Sequence, residues 1–245
     1  MASKGRNPMA KKTTKLSVHL TDKEQIWGII YLLFSLFVLP YLLSVFNSFL
    51  PVKLNDAWFN FLYFTLNFLF IFWIFHGFFK RSLMFAGTHI GDFLLAVLLG
   101  AAAYWLCNWG LSMLFSRVFP QFENLNDSAI TAMVHSNFFI MLLGTVIFVP
   151  IAEEALHRGL IFGSLYPKSH TAAYILSTVI FAAVHTMNYI GKYDIPSLLL
   201  AFLQYVPAGL ILAWAYRKSG SIFASVLIHS MVNAISLFSI SITFG

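Results

Sequence analysis

Charge is the scarcest commodity in this sequence. Asp, Glu, Lys and Arg make up 10% of its 245 residues, against 59% hydrophobic side chains, and so small a polar fraction cannot cover the surface of a water-soluble globule. A soluble fold is thereby excluded, and the chain reads as a membrane protein. Cysteine is nearly absent too. The single Cys107 rules out an intrachain disulfide and any cysteine-built metal site, and its place inside an apolar run suggests a small buried hydrophobe. No internal repeat, low-complexity tract or second domain is visible. The net charge of +6 would ordinarily raise the question of nucleic acid, but the excess sits in the N-terminal segment and in short connections between apolar runs. It is a topology signal, and no nucleic-acid partner is expected.

What the sequence has in quantity is long hydrophobic stretches, rich in its 27 Phe. Residues 1–24 carry Lys4, Arg6, Lys11, Lys12, Lys15 and Lys23 without apolar periodicity and read as a mobile basic tail in the cytoplasm; residues 25–245 form a single membrane-embedded helical domain. Apolar runs cover Trp27–Leu50, Trp58–Phe79, Gly91–Phe115, Phe138 to about Tyr166, Ala172–Tyr189, Pro196–Tyr216 and Ser221–Phe244. Each is near or above the roughly 20 residues that cross a hydrocarbon core. The expected fold is therefore an all-α polytopic bundle of about seven spans. Ile130, Met133 and Val134 recur at helical spacing beside polar residues, so a short interfacial helix is expected between Val118 and Asn137 and would raise the helix count to eight. With the N-terminus inside, eleven Lys and Arg fall on the cytoplasmic side, the six of the tail with Lys80, Arg81, Lys168, Arg217 and Lys218. Only Lys53, Arg117 and Lys192 fall outside. The expected orientation is N-inside.

Against this background, Glu153-Glu154-Ala155-Leu156-His157-Arg158 is out of place. A charge at the centre of a spanning helix costs about 2.5–3.5 kcal/mol even on lenient insertion scales, so three in six residues need partners and a purpose. His185 and the pair His229 and Asn233 occupy the interiors of later spans. Along helices rising about 1.5 Å per residue, Glu153 and His185 lie roughly 20 Å from the cytoplasmic ends and His229 roughly 12 Å. Alternating helix directions bring these groups to a similar level, which points to one shared, wet pocket. Glu154 and Arg158, four apart, share a face and can neutralise each other. Glu153 points about 100° away and is left free, as a general base must be. His229 and Asn233 are also four apart and could present two donors to an oxyanion.

Glu153-Glu154-x-x-x-Arg158, then Phe181-x-x-x-His185, then His229-x-x-x-Asn233 resembles the three motifs of the CPBP family, also called Abi or type II CAAX proteases, which comprises CAAX prenyl endopeptidases and bacteriocin-processing or immunity proteins. The resemblance covers about residues 140–240. It implies an intramembrane endopeptidase with a conical polar cavity open toward the cytoplasm, in which Glu153 activates a water with help from His185, His229 and Asn233 hold the oxyanion, and Glu154 and Arg158 support the site. His157 departs from the pattern, because that position is usually apolar or aromatic in the family. It stands four after Glu153 and three after Glu154, a spacing used by carboxylate-bound metals, although a packing role or a place in the vestibule is the simpler reading.

The expected partners are the lipid bilayer and a membrane-associated or CAAX-like peptide, in what reads as a bacterial plasma membrane. No cofactor is favoured. Zinc held by Glu153, His185 and His229 is the alternative within the enzyme class, while the lack of a local H-E-x-x-H argues for a metal-free glutamate mechanism. Outside that class stand a non-catalytic bacteriocin-immunity or scaffold protein and, on the strength of buried Glu, Arg and His alone, a transporter.

Overall fold

A computed structural model of the chain describes residues 16–120, 122 and 125–244. The tail residues Lys4, Arg6, Lys11, Lys12 and Lys15 lie outside the described residues. Among the described residues eight helices follow one another: α1 Asp22–Phe49, α2 Asp56–Thr88, α3 Ile90–Val118, a short α4 over residues 125–136, α5 Asn137–Leu165, α6 His170–Met187, α7 Ile195–Ser219 and α8 Ile222–Phe244. All but α4 are long and apolar enough to cross a membrane. The all-α bundle with seven spans is borne out, and so is the short extra helix. Asn137, at φ −155° and ψ 64°, breaks α4 from α5. Val134 is buried in α4, and Ile130 and Met133 pack against the same cluster as Met141, Leu237 and Ile240.

Local chemistry sets the helix starts. Thr21 and Glu24 form a capping box, the Glu24 N–H donating to Thr21 Oγ1 and the Thr21 N–H to Glu24 Oε2. Asn55 caps α2, Ser169 caps α6 and Asp194 caps α7, each accepting from a backbone N–H in the first turn. Large apolar side chains such as Phe37, Trp73, Leu98 and Phe139 stand exposed around the bundle. Water would not tolerate a belt of that extent, whereas lipid would.

The bundle has a sealed end and an open one. At the first lie the start of α1, the α2–α3 and α7–α8 junctions, and the α5–α6 connection. Here the structure differs from the tail expected up to Glu24. Leu16, Val18 and Leu20 are buried in one cluster with Phe75, Phe78, Tyr166, Tyr216 and Ile222, because apolar residues alternate along Leu16-Ser17-Val18-His19-Leu20 and so share one side of an extended strap. Tyr216 donates from its hydroxyl to Val18 O at 2.6 Å, and Arg81 donates to His19 O and to Glu24 Oε2 at 3.2 and 2.6 Å. The packed body thus begins several residues before the boundary read from composition. Lys80 and Arg81, expected in a loop, lie within α2, which continues to Thr88. Cys107, expected to be buried, is exposed on α3.

Candidate active site

The site hangs on α5, whose backbone is irregular on both sides of the two glutamates. Only Val149–Glu154 is α-helical there, between π-helical stretches at Gly144–Phe148 and Ala155–Phe162. In the first of these the Val149 N–H donates to Gly144 O, one residue further back than in an α-helix. The same register assigns Thr145 O to Pro150, which has no N–H to give. Asn233 of α8 fills that gap, donating from Nδ2 to Thr145 O at 2.8 Å. At the second junction His157 turns back, and its Nδ1 lies 2.8 Å from Glu153 O. π-Turns of this kind recur at functional sites because they re-aim side chains that a regular helix would stack in line.

The two carboxylates have separate surroundings. Glu154 and Arg158 are wholly buried, with Oε2 and Nε 3.2 Å apart. Arg158 also donates to Gly209 O at 3.3 Å and lies 4.3 Å over the Phe181 ring. Gly209 itself lets α7 lie close against α6, since a Cβ there would stand 2.7 Å from Thr178 Cγ2. The other oxygen of Glu154 accepts from His229 Nδ1 at 2.9 Å. Glu153, by contrast, keeps about a quarter of its side chain accessible and has His185 Nε2 at 3.6 Å and His229 Nε2 at 4.0 Å from Oε2.

Hydrogen-bond partners fix how the two imidazoles face Glu153. His185 Nδ1 lies 2.8 Å from Phe181 O, a carbonyl that only accepts, so that nitrogen carries the hydrogen. His229 Nδ1 carries one for the same reason, facing Glu154. In their neutral forms both rings therefore turn a bare Nε2 lone pair toward Glu153 Oε2, which itself has no hydrogen-bond donor. Three acceptors converge on one point, an arrangement that calls for a donor such as a water or a held proton. Phe181 is the hub of this cluster. Its buried ring contacts Arg158, His157, His185 and His229, which gives the motif's phenylalanine a physical purpose.

Asn233 spends one of its two amide hydrogens on the Thr145 carbonyl and lines the same cavity as His229. His157 takes the packing role, the simpler of its two readings: it is buried, edge-on to Phe181 at 5.2 Å. Other contributors went unread in the sequence. Tyr205 lies tilted against the His185 ring with centroids 4.3 Å apart, and Gln204 presents a buried Oε1 without a partner to the cavity. An amide inside an otherwise apolar span was the available signal.

A cavity of about 600 Å³ runs from Glu153, His185 and His229 past Tyr104, Gln204 and Asn233 to Asn60, Asn108, Asn188 and Lys192. Its deep end holds the acceptor cluster and its far end holds exposed amides. This geometry can be compared with known proteins. Residues 135–235 match the Rce1-like family of type II CAAX prenyl endopeptidases. All three motifs lie within that stretch, so the resemblance read from them is borne out. Among curated proteins, the chain is 39% identical over 87 residues to "UPF0177 protein YxdF" of Lactococcus lactis, a match covering 36% of this chain and 42% of that protein. It is 30% identical over 112 residues to "Putative membrane peptidase YdiL" of Bacillus subtilis, covering 45% of this chain and 41% of that protein. The chain thus aligns with about two fifths of each relative's length. No solved structure matches it.

Proposed function

We propose that the chain is an intramembrane endopeptidase of a bacterial plasma membrane, cleaving a membrane-associated or CAAX-like peptide with water activated by Glu153. The observation that carries this reading is the convergence of Glu153 Oε2, His185 Nε2 and His229 Nε2 on one point inside a polar cavity. The family match and the name of the Bacillus subtilis relative support it. A water at that point donates one hydrogen to Glu153 and one to His185, which aims its oxygen into the cavity. As that oxygen attacks the scissile carbonyl carbon, Glu153 takes the proton. A second proton, taken up on His229 Nε2 from water in the cavity before the attack, lets that ring donate to the oxyanion while Glu154 faces its Nδ1, and the proton stays on the ring through the cycle. Glu153 then passes its proton to the leaving nitrogen as the C–N bond breaks, and a carboxylic acid and an amine leave the site. Arg158 supplies the counter-charge to Glu154, the acceptor behind His229.

Zinc is the second reading. Both histidines have the outer partners that metal-bound imidazoles show, a carbonyl behind His185 and a carboxylate behind His229. Among the described residues, however, no three His, Cys, Asp or Glu side chains gather closely enough to hold a metal. The test is cleavage of a quenched membrane-peptide library by purified protein in detergent, with and without a chelator. Glu153→Gln is expected to reduce the rate by about 10²–10⁴-fold, the range for removing a general base, with chelator inert. Loss on chelation would transfer Glu153 to a zinc site. Inert wild type that still protects cells from a peptide toxin would replace the peptidase with an immunity protein.

A further inference from the structure

The family resemblance carries with it a cavity open toward the cytoplasm, and the structure and the charge pattern together point the other way. Every amide at the wide end of the cavity comes from the same end of the bundle. Asn60 lies four residues into α2, Asn108 stands about 27 Å along α3 from the sealed end at the usual helical rise, and Asn188 and Lys192 flank the α6–α7 connection. Asn108, Asn188 and Lys192 are exposed, so the cavity opens there.

The opposite end is closed. Leu16, Val18 and Leu20 are pressed onto the aromatic cluster, Tyr216 and Arg81 tie the strap down, and Ser82 and Ser221 join the α2 and α8 backbones, with Ser82 Oγ accepting from the Ile222 N–H at 2.8 Å and Ser221 Oγ donating to Ser82 O at 3.0 Å. That closed end is also where the cations of the described residues collect: Lys23, Lys80, Arg81, Lys168, Arg217 and Lys218 belong to it, against Lys53, Arg117 and Lys192 at the other. The positive-inside rule places such an end in the cytoplasm.

We infer that the cavity opens on the extracytoplasmic face, so that the peptidase proposed above takes its substrate from outside the cell or from the outer leaflet. The inference rests on that reading for the nature of the occupant. The lining fits an extended peptide: Asn60, Asn108, Asn188 and Gln204 can pair with backbone N–H and C=O groups that find no water in the membrane. A volume of about 600 Å³ is of the size of ordinary small-ligand pockets and admits a short peptide segment rather than a folded domain.

Cysteine accessibility decides the question without reference to activity. In a Cys107→Ala background expressed in bacteria, single cysteines are introduced at the mouth, Lys192→Cys and Asn188→Cys, and at the sealed end, Lys168→Cys and Thr88→Cys. The expected result is labelling of the mouth cysteines in intact cells by a charged, membrane-impermeant maleimide, with the other two labelled only after permeabilisation. The reverse pattern overturns the inference. A quenched peptide is then offered to right-side-out and to inverted vesicles. Cleavage by right-side-out vesicles that Glu153→Gln removes supports outer access. Cleavage confined to inverted vesicles would overturn it while leaving the peptidase standing, and labelling as expected without cleavage from either side would sustain the access route and remove the peptidase.

Discussion

At the sealed end of the bundle, Glu24, Ser82, Tyr216, Ser219 and Ser221 are all buried, and each has a hydrogen-bond partner. In and behind the cavity wall the buried polar atoms without one are Glu153 Oε2, Glu154 Oε2, His157 Nε2, Arg158 Nε and Nη1, Thr178 Oγ1 and Gln204 Oε1, and of these residues Glu153 and Gln204 line the cavity itself. Both regions bury polar groups in an apolar bundle, yet only one completes them. An unpaired buried polar group costs about 1–3 kcal/mol, so natural chains leave such groups where something else is gained. Polarity at the sealed end ties segments together. The two that line the cavity, Glu153 Oε2 and Gln204 Oε1, are open to what enters it.

If that contrast is right, variants in the two regions should separate activity from stability. The largest stability loss is expected for Arg158→Ala, because the fully buried Glu154 then loses its counter-charge, Gly209 O its donor and the Phe181 ring its cation. Breaking such a pair costs about 3–5 kcal/mol, which thermal unfolding in detergent would register as a lower midpoint. Glu153→Gln in the same assay should unfold close to wild type, since Glu153 Oε2 has no donor to lose. If Glu153→Gln destabilised as much as Arg158→Ala, Glu153 would be a structural residue and the catalytic reading would fail.

Tyr216→Phe probes the other region. It deletes the hydroxyl that holds Val18 O and nothing near the acceptor cluster. The expected cost is about 1–2 kcal/mol of stability, a lost hydrogen bond with a buried carbonyl left behind. Peptide cleavage measured at low temperature should be unchanged. A fall in cleavage without a fall in stability would mean that the strap communicates with the site, and the division between the two ends would have to be redrawn.

Much of this was legible in the sequence because membranes impose simple rules. Apolar run length yields the spans, and the i,i+4 relation of Glu154 and Arg158 yields their pair before any coordinates. Less legible were features that depend on backbone irregularity or on distant segments. Nothing in Ala155–Phe162 announces a π-helix, and Asn233 looked free because its partner, Thr145 O, is released by a proline 83 residues earlier in the chain. The strap at Leu16–Leu20 was hidden by its charged neighbours: alternation at every second residue was present, but in a stretch judged by its lysines. The direction of the cavity was beyond sequence reading, since it depends on which ends of α2, α3 and α6 leave space between them.

The smallest effect is the most direct check on the comparison, because it uses the same residue type in the same kind of pair. Arg81 meets Glu24 at 2.6 Å, shorter than the Arg158–Glu154 contact, but its side chain is 41% accessible. Glu24 also keeps its bonds from the Thr21 N–H and hydroxyl when Arg81 is gone, so Arg81→Ala leaves no orphaned charge. Exposed pairs are worth about 0.2–1 kcal/mol and weaken with salt. The midpoint of Arg81→Ala should therefore lie slightly below wild type at low ionic strength and merge with it as salt is raised, while the deficit of Arg158→Ala persists. If distance alone governed these pairs, Arg81 would be the costlier arginine to lose; that ranking, observed at high salt, would remove burial as the basis for telling the two regions apart.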